Sequence, residues 1–336
     1  MGGALADSSL LQVNNLSVEF STPLGTVKAV TDVSWLVSPG QILAIVGESG
    51  SGKSVTALSI LQLIPTPPGR IVSGQVLFGK TDLLRLSEDQ IRKFRGRKIS
   101  MVFQEPMTSL NPVLSIGRQI TEQMKLHLGL DTAEARERAI ELLTRVGISE
   151  PKDRLRQYPH HFSGGMRQRV MIAMALSCDP ELIIADEPTT ALDVTIQAQI
   201  LQLMQRLCRE MNVGLVIITH NLGVVARYAD RVSVMYAGRI VEEGDAGEIY
   251  AHPQHPYTYG LLNSVPRLDS ARASNLIPIP GSPPDLVDLP PGCSFRPRCH
   301  IGRPNCEATI PELTGAVSGH QVACPYTAEI SAETRM

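Results

Sequence analysis

The stretch Gly47-Glu48-Ser49-Gly50-Ser51-Gly52-Lys53-Ser54 matches the pattern G-x-x-x-x-G-K-S/T and follows directly after the apolar run Ile42-Leu43-Ala44-Ile45-Val46. Its glycines let the backbone turn tightly with N–H groups pointing inward, where a helix begins. This predicts a phosphate-binding loop in which Lys53 adds charge to the outer phosphates and the Ser54 hydroxyl ligates Mg²⁺. The loop alone does not identify the class of NTPase. The loop residues expected to contact ATP are Gly47, Ser49, Gly50, Ser51, Gly52, Lys53, Ser54 and Val55.

The composition is that of a globular chain without a strong overall charge. Of the 336 residues, 43% are hydrophobic, which is enough for a substantial core. The 31 basic and 33 acidic side chains give a net charge of -2, which argues against nucleic acid as a partner. The N-terminus lacks the pattern of a secretory leader, and the apolar runs are far shorter than the roughly 18 residues that span a bilayer. We therefore expect a soluble, cytosolic protein.

Hydrophobic periodicity predicts strands that alternate with helices. Residues 11–20 and 27–37 favour an antiparallel sheet near the N-terminus. Buried strands at 182–187 and 214–219, with a long helix between them, are typical of a mostly parallel sheet covered on both faces. A helix is expected at 55–63, after the phosphate loop.

The rest of the chain suggests two additions to this core. Residues 110–162 have the helical period and predict a helical insert. Beyond about residue 253 the chain becomes Pro-rich and irregular, which indicates an appendage. We therefore expect a nucleotide-binding domain at 1–252, with a helical subdomain at about 105–165, and a C-terminal extension at 253–336.

Four polar side chains stand where predicted strands end. Asp186 and Glu187 close one buried strand, and Gln104 and His220 follow two others. Ligands gather at the carboxyl ends of parallel strands, so Asp186 is a candidate for holding Mg²⁺ and Glu187 for accepting a proton from, or orienting, the attacking water. Gln104 could contact Mg²⁺ and that water, and His220 could bond the γ-phosphate. Taken singly, each also fits an ordinary solvated strand end or loop.

The order of these motifs resembles that of an ABC transporter ATPase. The resemblance rests on the phosphate loop, Gln104, Ser163-Gly164-Gly165-Met166-Arg167-Gln168, Asp186-Glu187, Ala191-Leu192-Asp193 and His220. It implies an α/β fold with a RecA-like P-loop NTPase core, an N-terminal antiparallel β-subdomain, a helical subdomain, and two cassettes that close head to tail. It further implies that Ser163, Gly164 and Gly165 contact ATP on the partner cassette and that Phe20 stacks on the adenine. By themselves, the tripeptide also fits an N-cap and Phe20 a core position.

Longer segments are similar to the dipeptide/oligopeptide importer ATPases. They are residues 102–112, 163–176 and 188–195 and the tail His255-Pro256-Tyr257-Thr258. This similarity implies an ATP-hydrolysing subunit of a bacterial peptide importer, peripheral on the cytoplasmic face of the inner membrane. The implied partners are a second, homologous ABC ATPase, two transmembrane permease subunits and an extracellular or periplasmic peptide-binding protein. A homodimer, an importer ATPase for nickel or another small solute, and a soluble non-transport ABC ATPase remain as alternatives.

Four of the six cysteines, Cys293, Cys299, Cys306 and Cys324, follow the spacing C-x5-C-x6-C-x17-C near the C-terminus. In a reducing compartment such a cluster favours a metal over disulfides. The spacing matches neither zinc ribbons nor common ferredoxins, so zinc, an iron–sulfur cluster, and free or partly paired thiols all remain open, with His300 as an alternative ligand. Similar tails of peptide-importer ATPases carry a 4Fe-4S cluster. That resemblance makes the cluster the first expectation and Zn²⁺ the second.

Overall fold

The structure is a computed structural model that describes residues 9–190, 192–225, 227–264, 278–315 and 319–327. The chain divides into two compact units. The first contains Val37–Ile42 and Arg85–Ile218, and the second contains Leu11–Leu36, Leu43–Leu84 and the described residues after Ile218. Over these described ranges, no helix combines the length and the apolar character that crossing a membrane requires. The predicted division at residue 252 stays a prediction.

The described residues contain twelve strands and eleven α-helices. The strands are β1 Leu11–Thr22, β2 Gly25–Val37, β3 Ile42–Val46, β4 Gly69–Phe78, β5 Thr81–Asp82, β6 Ile99–Val102, β7 Leu182–Asp186, β8 Gly214–Thr219, β9 Arg231–Tyr236, β10 Arg239–Asp245, β11 Thr314–Gly315 and β12 Gln321–Val322. The helices are α1 Lys53–Ile60, α2 Glu88–Ile91, α3 Pro106–Ser109, α4 Ile116–Leu128, α5 Thr132–Arg145, α6 Pro151–Arg154, α7 Gly164–Leu176, α8 Val194–Met211, α9 Leu222–Val225, α10 Ala246–Ala251 and α11 Pro256–Asn263.

Parallel strands form the sheet of the first unit. Their order is β8-β7-β6, and the register places Leu182 opposite Ile99 on one side and opposite Gly214 on the other. Every residue of β7 is buried. A strand covered on both faces needs apolar side chains throughout, which explains the unbroken apolar run in this part of the sequence. The predicted strands at 182–187 and 214–219 are present as β7 and β8.

Two amphipathic helices of the first unit, α4 and α5, lie within the predicted helical insert. The Ser115 hydroxyl accepts a hydrogen bond from the Arg118 N–H and caps α4. Asp131 and Glu134 form a capping box at the start of α5. Met124, on the apolar face of α4, is fully buried. The predicted helical insert is therefore present, and its standing as a separate subdomain stays a prediction.

The second unit contains two groups of strands. The N-terminal strands form a four-stranded sheet in the order β2-β1-β4-β5, in which β4 runs antiparallel to β1 and β5. The other group follows the order β11-β12-β10-β9-β3, with β3 parallel to β9. β9 and β10 form the antiparallel hairpin expected from the sequence. The turn between them contains Ala237 and Gly238, both with positive φ.

Two helix predictions differ from the structure. Helix α1 begins at Lys53 rather than at residue 55 and ends at Ile60. The chain beyond residue 253, predicted as irregular, contains helix α11. Pro256 occupies the first turn of α11, where a missing N–H removes no helical hydrogen bond, and the His255 side chain caps the helix by accepting from the Tyr257 N–H. Pro256 therefore starts a helix within the stretch that was predicted as irregular.

Candidate nucleotide site

The phosphate loop joins the buried strand β3 to helix α1 in the second unit. Two of its glycines lie against other backbone segments. A Cβ on Gly47 would be 2.1 Å from the Met235 carbonyl oxygen, and one on Gly52 would be 2.3 Å from the Ala29 carbonyl oxygen. Gly52 also has a φ of 100°, a conformation that glycine adopts readily. The loop therefore presents the N-terminus of α1, where backbone N–H groups and the helix dipole favour a phosphate.

The Lys53 ammonium is held inside this loop. Lys53 Nζ donates to the carbonyl oxygens of Gly47 and Glu48, at 2.8 Å each, and to Ser51 Oγ at 3.3 Å. The residue is only 4% exposed, so its charge has a fixed position. The Ser51 N–H donates to the Glu48 carbonyl oxygen and tightens the same turn. A positive charge thus lies in the middle of the predicted phosphate loop.

The other predicted loop contacts lie nearer to solvent. Ser49 and Gly50 are exposed at the tip of the loop. Ser54 and Val55 are half-buried in the first turn of α1. This places the Ser54 hydroxyl at the helix N-terminus, which is the position that the motif requires for a Mg²⁺ ligand.

Phe20 and His220 also belong to the second unit. Phe20 is half-buried near the end of β1 and lies opposite Gly69 of β4. A Cβ on Gly69 would be 2.9 Å from the Phe20 ring, so the ring covers the glycine backbone. His220 is exposed directly after β8. The roles expected for these two residues, adenine stacking and a γ-phosphate contact, stay predictions.

Two residues that were not among the predicted site residues contact the phosphate loop from the C-terminal part of the chain. The Glu48 N–H donates to the Tyr257 hydroxyl at 2.7 Å. Arg298 forms a bidentate ion pair with the Glu48 carboxylate, with N···O distances of 2.6 and 3.0 Å. Glu48 and Arg298 are 250 positions apart, so no local sequence pattern could have revealed this pair.

The acidic strand end lies in the first unit. Asp186 is the last residue of β7 and is 7% exposed, and Glu187 follows it half-buried. Gln104, just after β6, donates from Nε2 to Glu187 Oε2 at 3.3 Å. Because β6 and β7 are parallel neighbours, their carboxyl ends meet, and the structure brings together Gln104 and Glu187 as the strand order predicts.

The backbone and carboxylate of Glu187 are both constrained. Its φ is 46°, in the left-handed region that residues with a side chain seldom occupy. Its N–H donates to the Ile218 carbonyl oxygen at 2.9 Å, and Thr190 Oγ1 donates to Glu187 Oε2 at 2.8 Å. Thr190 was not among the predicted site residues, although it lies within residues 188–195 that carry the importer resemblance. The Glu187 carboxylate is thus oriented by both Gln104 and Thr190.

The Ser163-Gly164-Gly165 turn opens helix α7, also in the first unit. The Ser163 hydroxyl accepts from the Met166 N–H at 3.4 Å and caps the helix. Ser163 and Gly164 are exposed, and a Cβ on Gly165 would be 3.1 Å from Ile196. The turn therefore presents a helix N-terminus through small residues, which permits close approach of a phosphate. Ala191, part of the quoted motifs, lies outside the described residues.

Three of the four C-terminal cysteines have pKa values above that of an ordinary thiol. Burial raises the pKa of Cys293 and Cys324, and it raises the pKa of Cys299 to about 11. A negative charge on Cys306 would raise all three pKa values further. Burial therefore favours the protonated thiol at Cys293, Cys299 and Cys324.

Backbone groups stabilise the thiolate forms of three of these cysteines. Hydrogen bonds from the backbone to sulfur connect Phe295 and Arg296 with Cys293, Ile301 with Cys299, and Tyr326 with Cys324. In the part of the chain that the structure describes, no three His, Cys, Asp or Glu side chains are arranged to hold a metal ion. Four cysteine sulfurs are suitable ligands for a thiolate-bound metal, but their arrangement does not form a coordination site. The predicted cluster is therefore not confirmed.

The phosphate loop after a strand of a parallel arrangement defines a P-loop NTPase. The sequence of the chain matches the family described as ABC transporter over residues 30–190. It also matches the family described as oligopeptide/dipeptide transporter, C-terminal region, over residues 241–306. The dipeptide transport ATP-binding protein DppD of Bacillus subtilis is 52% identical over 315 residues, which are 94% of each chain. The oligopeptide transport ATP-binding protein OppD of Salmonella typhimurium is 51% identical and matches 94% of this chain and 93% of that one.

Solved structures give the same assignment. A dimeric ATP-binding cassette in a post-hydrolysis state, bound to ADP and Pi, matches with a TM-score of 0.63 and 28% identity over 70% of this chain and 98% of that chain. The chain belongs to the ABC transporter ATP-binding proteins that carry an oligopeptide/dipeptide transporter C-terminal region. The α/β fold with a RecA-like core, an antiparallel β-subdomain and helical parts is thereby confirmed, and the chain is an ATPase.

Proposed function

We propose that this chain is the ATP-hydrolysing subunit of a bacterial importer of dipeptides or oligopeptides. The observation that carries the proposal is the similarity of nearly the whole chain to ATP-binding proteins named for dipeptide and oligopeptide transport. The similarity includes the C-terminal region at 241–306. The solved cassette is matched over 98% of its length by 70% of this chain, so part of this chain is additional to that cassette.

The partners follow from this role. We propose that the chain binds two transmembrane permease subunits as a peripheral protein on the cytoplasmic face of the inner membrane, and that an extracellular or periplasmic binding protein delivers the peptide. The second cassette is a homologous ABC ATPase subunit. The exposed Ser163-Gly164-Gly165 turn supports pairing of cassettes, because its small residues leave the N-terminus of α7 open to a phosphate on another chain.

Different residues of the proposed site bind the different parts of ATP and its Mg²⁺. Lys53 and the N–H groups at the start of α1 bind the phosphates of ATP, and the Phe20 ring stacks on the adenine. The oxygen donors Ser54, Asp186 and Gln104 suit Mg²⁺, which neutralises phosphate charge when bound.

Glu187 is the proposed acceptor of the proton of the attacking water. Its carboxylate has a fixed direction because Gln104 and Thr190 both donate to Oε2. His220 donates a hydrogen bond to the γ-phosphate. Hydrolysis and release then reopen the paired cassettes.

Reconstitution tests the transported substrate. The chain is assembled with its co-purifying permease subunits in vesicles, and ATP turnover is measured with the binding protein loaded with peptide or with Ni²⁺. Stimulation by peptides alone supports the proposal. Stimulation by Ni²⁺ alone identifies the nickel-importer alternative, and turnover independent of any membrane subunit favours a non-transport ATPase.

For the C-terminal region, we propose that Cys293, Cys299, Cys306 and Cys324 hold a 4Fe-4S cluster, with Zn²⁺ as the alternative. The support is the spacing of the four cysteines and the backbone hydrogen bonds to the sulfurs of Cys293 and Cys299, which stabilise thiolates. Side chains must shift from their present arrangement to coordinate a metal.

The test is anaerobic purification with assays of iron, sulfide and zinc. Cys299→Ser should lose the metal, while Cys208→Ser is the matched control, because Cys208 is buried within helix α8. A colourless protein with stoichiometric zinc would identify the alternative, and a protein without iron or zinc would leave the thiols free.

A further inference from the structure

Glu48 of the phosphate loop is fixed at three points. Its N–H donates to the Tyr257 hydroxyl at 2.7 Å, and its carbonyl oxygen accepts from Lys53 Nζ at 2.8 Å. Its carboxylate pairs with both terminal nitrogens of Arg298. Tyr257 and Arg298 come from the C-terminal part of the second unit, so that part restrains the same peptide that Lys53 contacts.

The Arg298 guanidinium has little freedom to move. Its side chain is 5% exposed. Nε donates to the Pro280 carbonyl oxygen at 2.9 Å, and Nη1 also reaches the Tyr236 hydroxyl at 3.4 Å. The guanidinium lies 5.9 Å from the ring centres of Tyr236 and Phe295. These contacts direct its planar fork at Glu48, a bidentate geometry that a lysine cannot reproduce.

Tyr257 is equally fixed. It is fully buried in α11, with its ring centre 4.6 Å from that of Tyr236 and 5.4 Å from that of Phe295. Burial raises the pKa of Tyr257 above its ordinary value, so the hydroxyl stays neutral. Its oxygen therefore remains an acceptor for the Glu48 N–H.

A glycine-rich loop has high conformational entropy unless other groups restrain it. Ser49 and Gly50, which follow Glu48, are exposed. Restraint of the neighbouring Glu48 peptide limits the loop to fewer shapes, and a binding site that already has its bound shape loses less entropy when the ligand arrives.

We propose that Arg298 and Tyr257 are positioning residues for the phosphate loop, which hold the Glu48 peptide so that the loop and Lys53 keep the shape that binds ATP. This rests on the proposed role of the loop as the ATP site. The C-terminal region of the chain thereby sets the ATP affinity of the cassette.

The test measures the equilibrium Kd for ATP of the full-length chain, and KM and kcat of the assembled transporter. Arg298→Gln should raise Kd and KM about tenfold, because a charge-assisted hydrogen bond is lost, and Tyr257→Phe should raise them about fivefold. In both variants kcat should be unchanged. Arg296→Gln is the matched control, because Arg296 lies in the same turn and pairs with Glu307 instead.

Combined variants separate positioning from general stability. Glu48→Gln should raise Kd as Arg298→Gln does, and the double variant should add little, because both remove one ion pair. Exchange of the two charges, Glu48→Arg with Arg298→Glu, should recover part of the affinity lost in either single variant.

The proposal is overturned if Arg298→Gln and Tyr257→Phe bind ATP with the parent Kd, even if their melting temperatures fall. If Arg298→Gln does not fold, Arg298→Lys keeps the charge without the fork and should still weaken ATP binding. Lys53→Ala tests the ATP site separately from the positioning role. If Lys53→Ala keeps its ATP affinity, the proposed ATP site itself is wrong. If Lys53→Ala loses affinity but the Arg298 and Tyr257 variants keep the parent Kd, only the positioning role is rejected.

Discussion

The phosphate loop and the acidic strand end differ in how firmly the fold holds them. In the loop, Lys53 is buried, three acceptors hold its ammonium, and backbone segments contact two glycines. At the strand end, Gln104 is exposed, and its bond to Glu187 is 3.3 Å long. Buried contacts therefore hold the loop, whereas two exposed side chains, Gln104 and Thr190, orient the Glu187 carboxylate. This difference predicts that substitutions separate ATP binding from hydrolysis.

The largest effect should come from Lys53→Ala. The change removes a charge that contacts phosphate and also the three hydrogen bonds that hold the loop, so ATP affinity should fall by at least about a hundredfold. Equilibrium binding of ATP to the purified chain measures this. Lys152→Ala, at an exposed position in α6, is the control and should bind normally. Near-normal binding by Lys53→Ala would mean that the buried ammonium belongs to the fold and not to the site.

Glu187→Gln should affect the other region. Loss of a proton acceptor should lower ATP turnover by about a hundredfold or more, while the Kd for ATP changes little. Paired cassettes should then remain closed around ATP, which size-exclusion chromatography with ATP detects as a stable dimer. Thr190→Val, which removes one hydrogen bond to Glu187, should give a smaller loss of turnover. Parent turnover in Glu187→Gln would reject the proposed base.

The same comparison explains what the sequence could predict. The phosphate loop was predictable because its geometry comes from consecutive residues, in which glycines at fixed positions and a lysine define one local shape. Predicting that Gln104 and Glu187 lie close together required one further step, the parallel order of β6 and β7. The alternation of strands and helices indicated that order. Both inferences depend on regular, short-range patterns.

Contacts with the C-terminal part of the chain could not be predicted in this way. The pairing of Glu48 with Arg298 depends on how the segment between Cys293 and Cys299 packs within the second unit. No periodicity in the sequence predicts that packing. Helix α11 was missed because the whole chain beyond about residue 253 was predicted as irregular from its proline content, although proline is favoured in a first helical turn, where Pro256 lies. The cysteine spacing identified a cluster of thiols without identifying a ligand.

Ser163→Arg should have a smaller effect, and on a different chain. A long side chain at the start of α7 blocks approach of a phosphate to that helix, so turnover at the partner's phosphate loop should fall about tenfold, as expected for one lost hydrogen bond to a charged group. ATP binding to this chain's own loop should not change. Arg156→Ala, at an exposed position, is the control. Loss of ATP binding by the isolated Ser163→Arg chain would contradict head-to-tail pairing.

The last effect concerns the stability of the second unit, which carries the phosphate loop, as the pH changes. Burial lowers the pKa of His255 from 6.5 to about 3. The folded chain therefore disfavours protonation, whereas the unfolded chain binds a proton below pH 6.5, so stability present at higher pH is lost as the pH falls from 6.5 towards 3. His255 should contribute a loss of about 2 kcal/mol in the free energy of unfolding between pH 7 and pH 5.

His255→Asn measures this contribution, because asparagine also caps a helix but does not titrate in this range. Chemical denaturation of the parent and the variant at several pH values should show a flatter pH dependence in His255→Asn. His252→Asn is the control, since the His252 side chain is 71% exposed, and it should keep the parent slope. Equal slopes in all three proteins would mean that the pKa of His255 is the same in the folded and the unfolded chain. The acid sensitivity of the second unit would then come from other groups, such as its carboxylates.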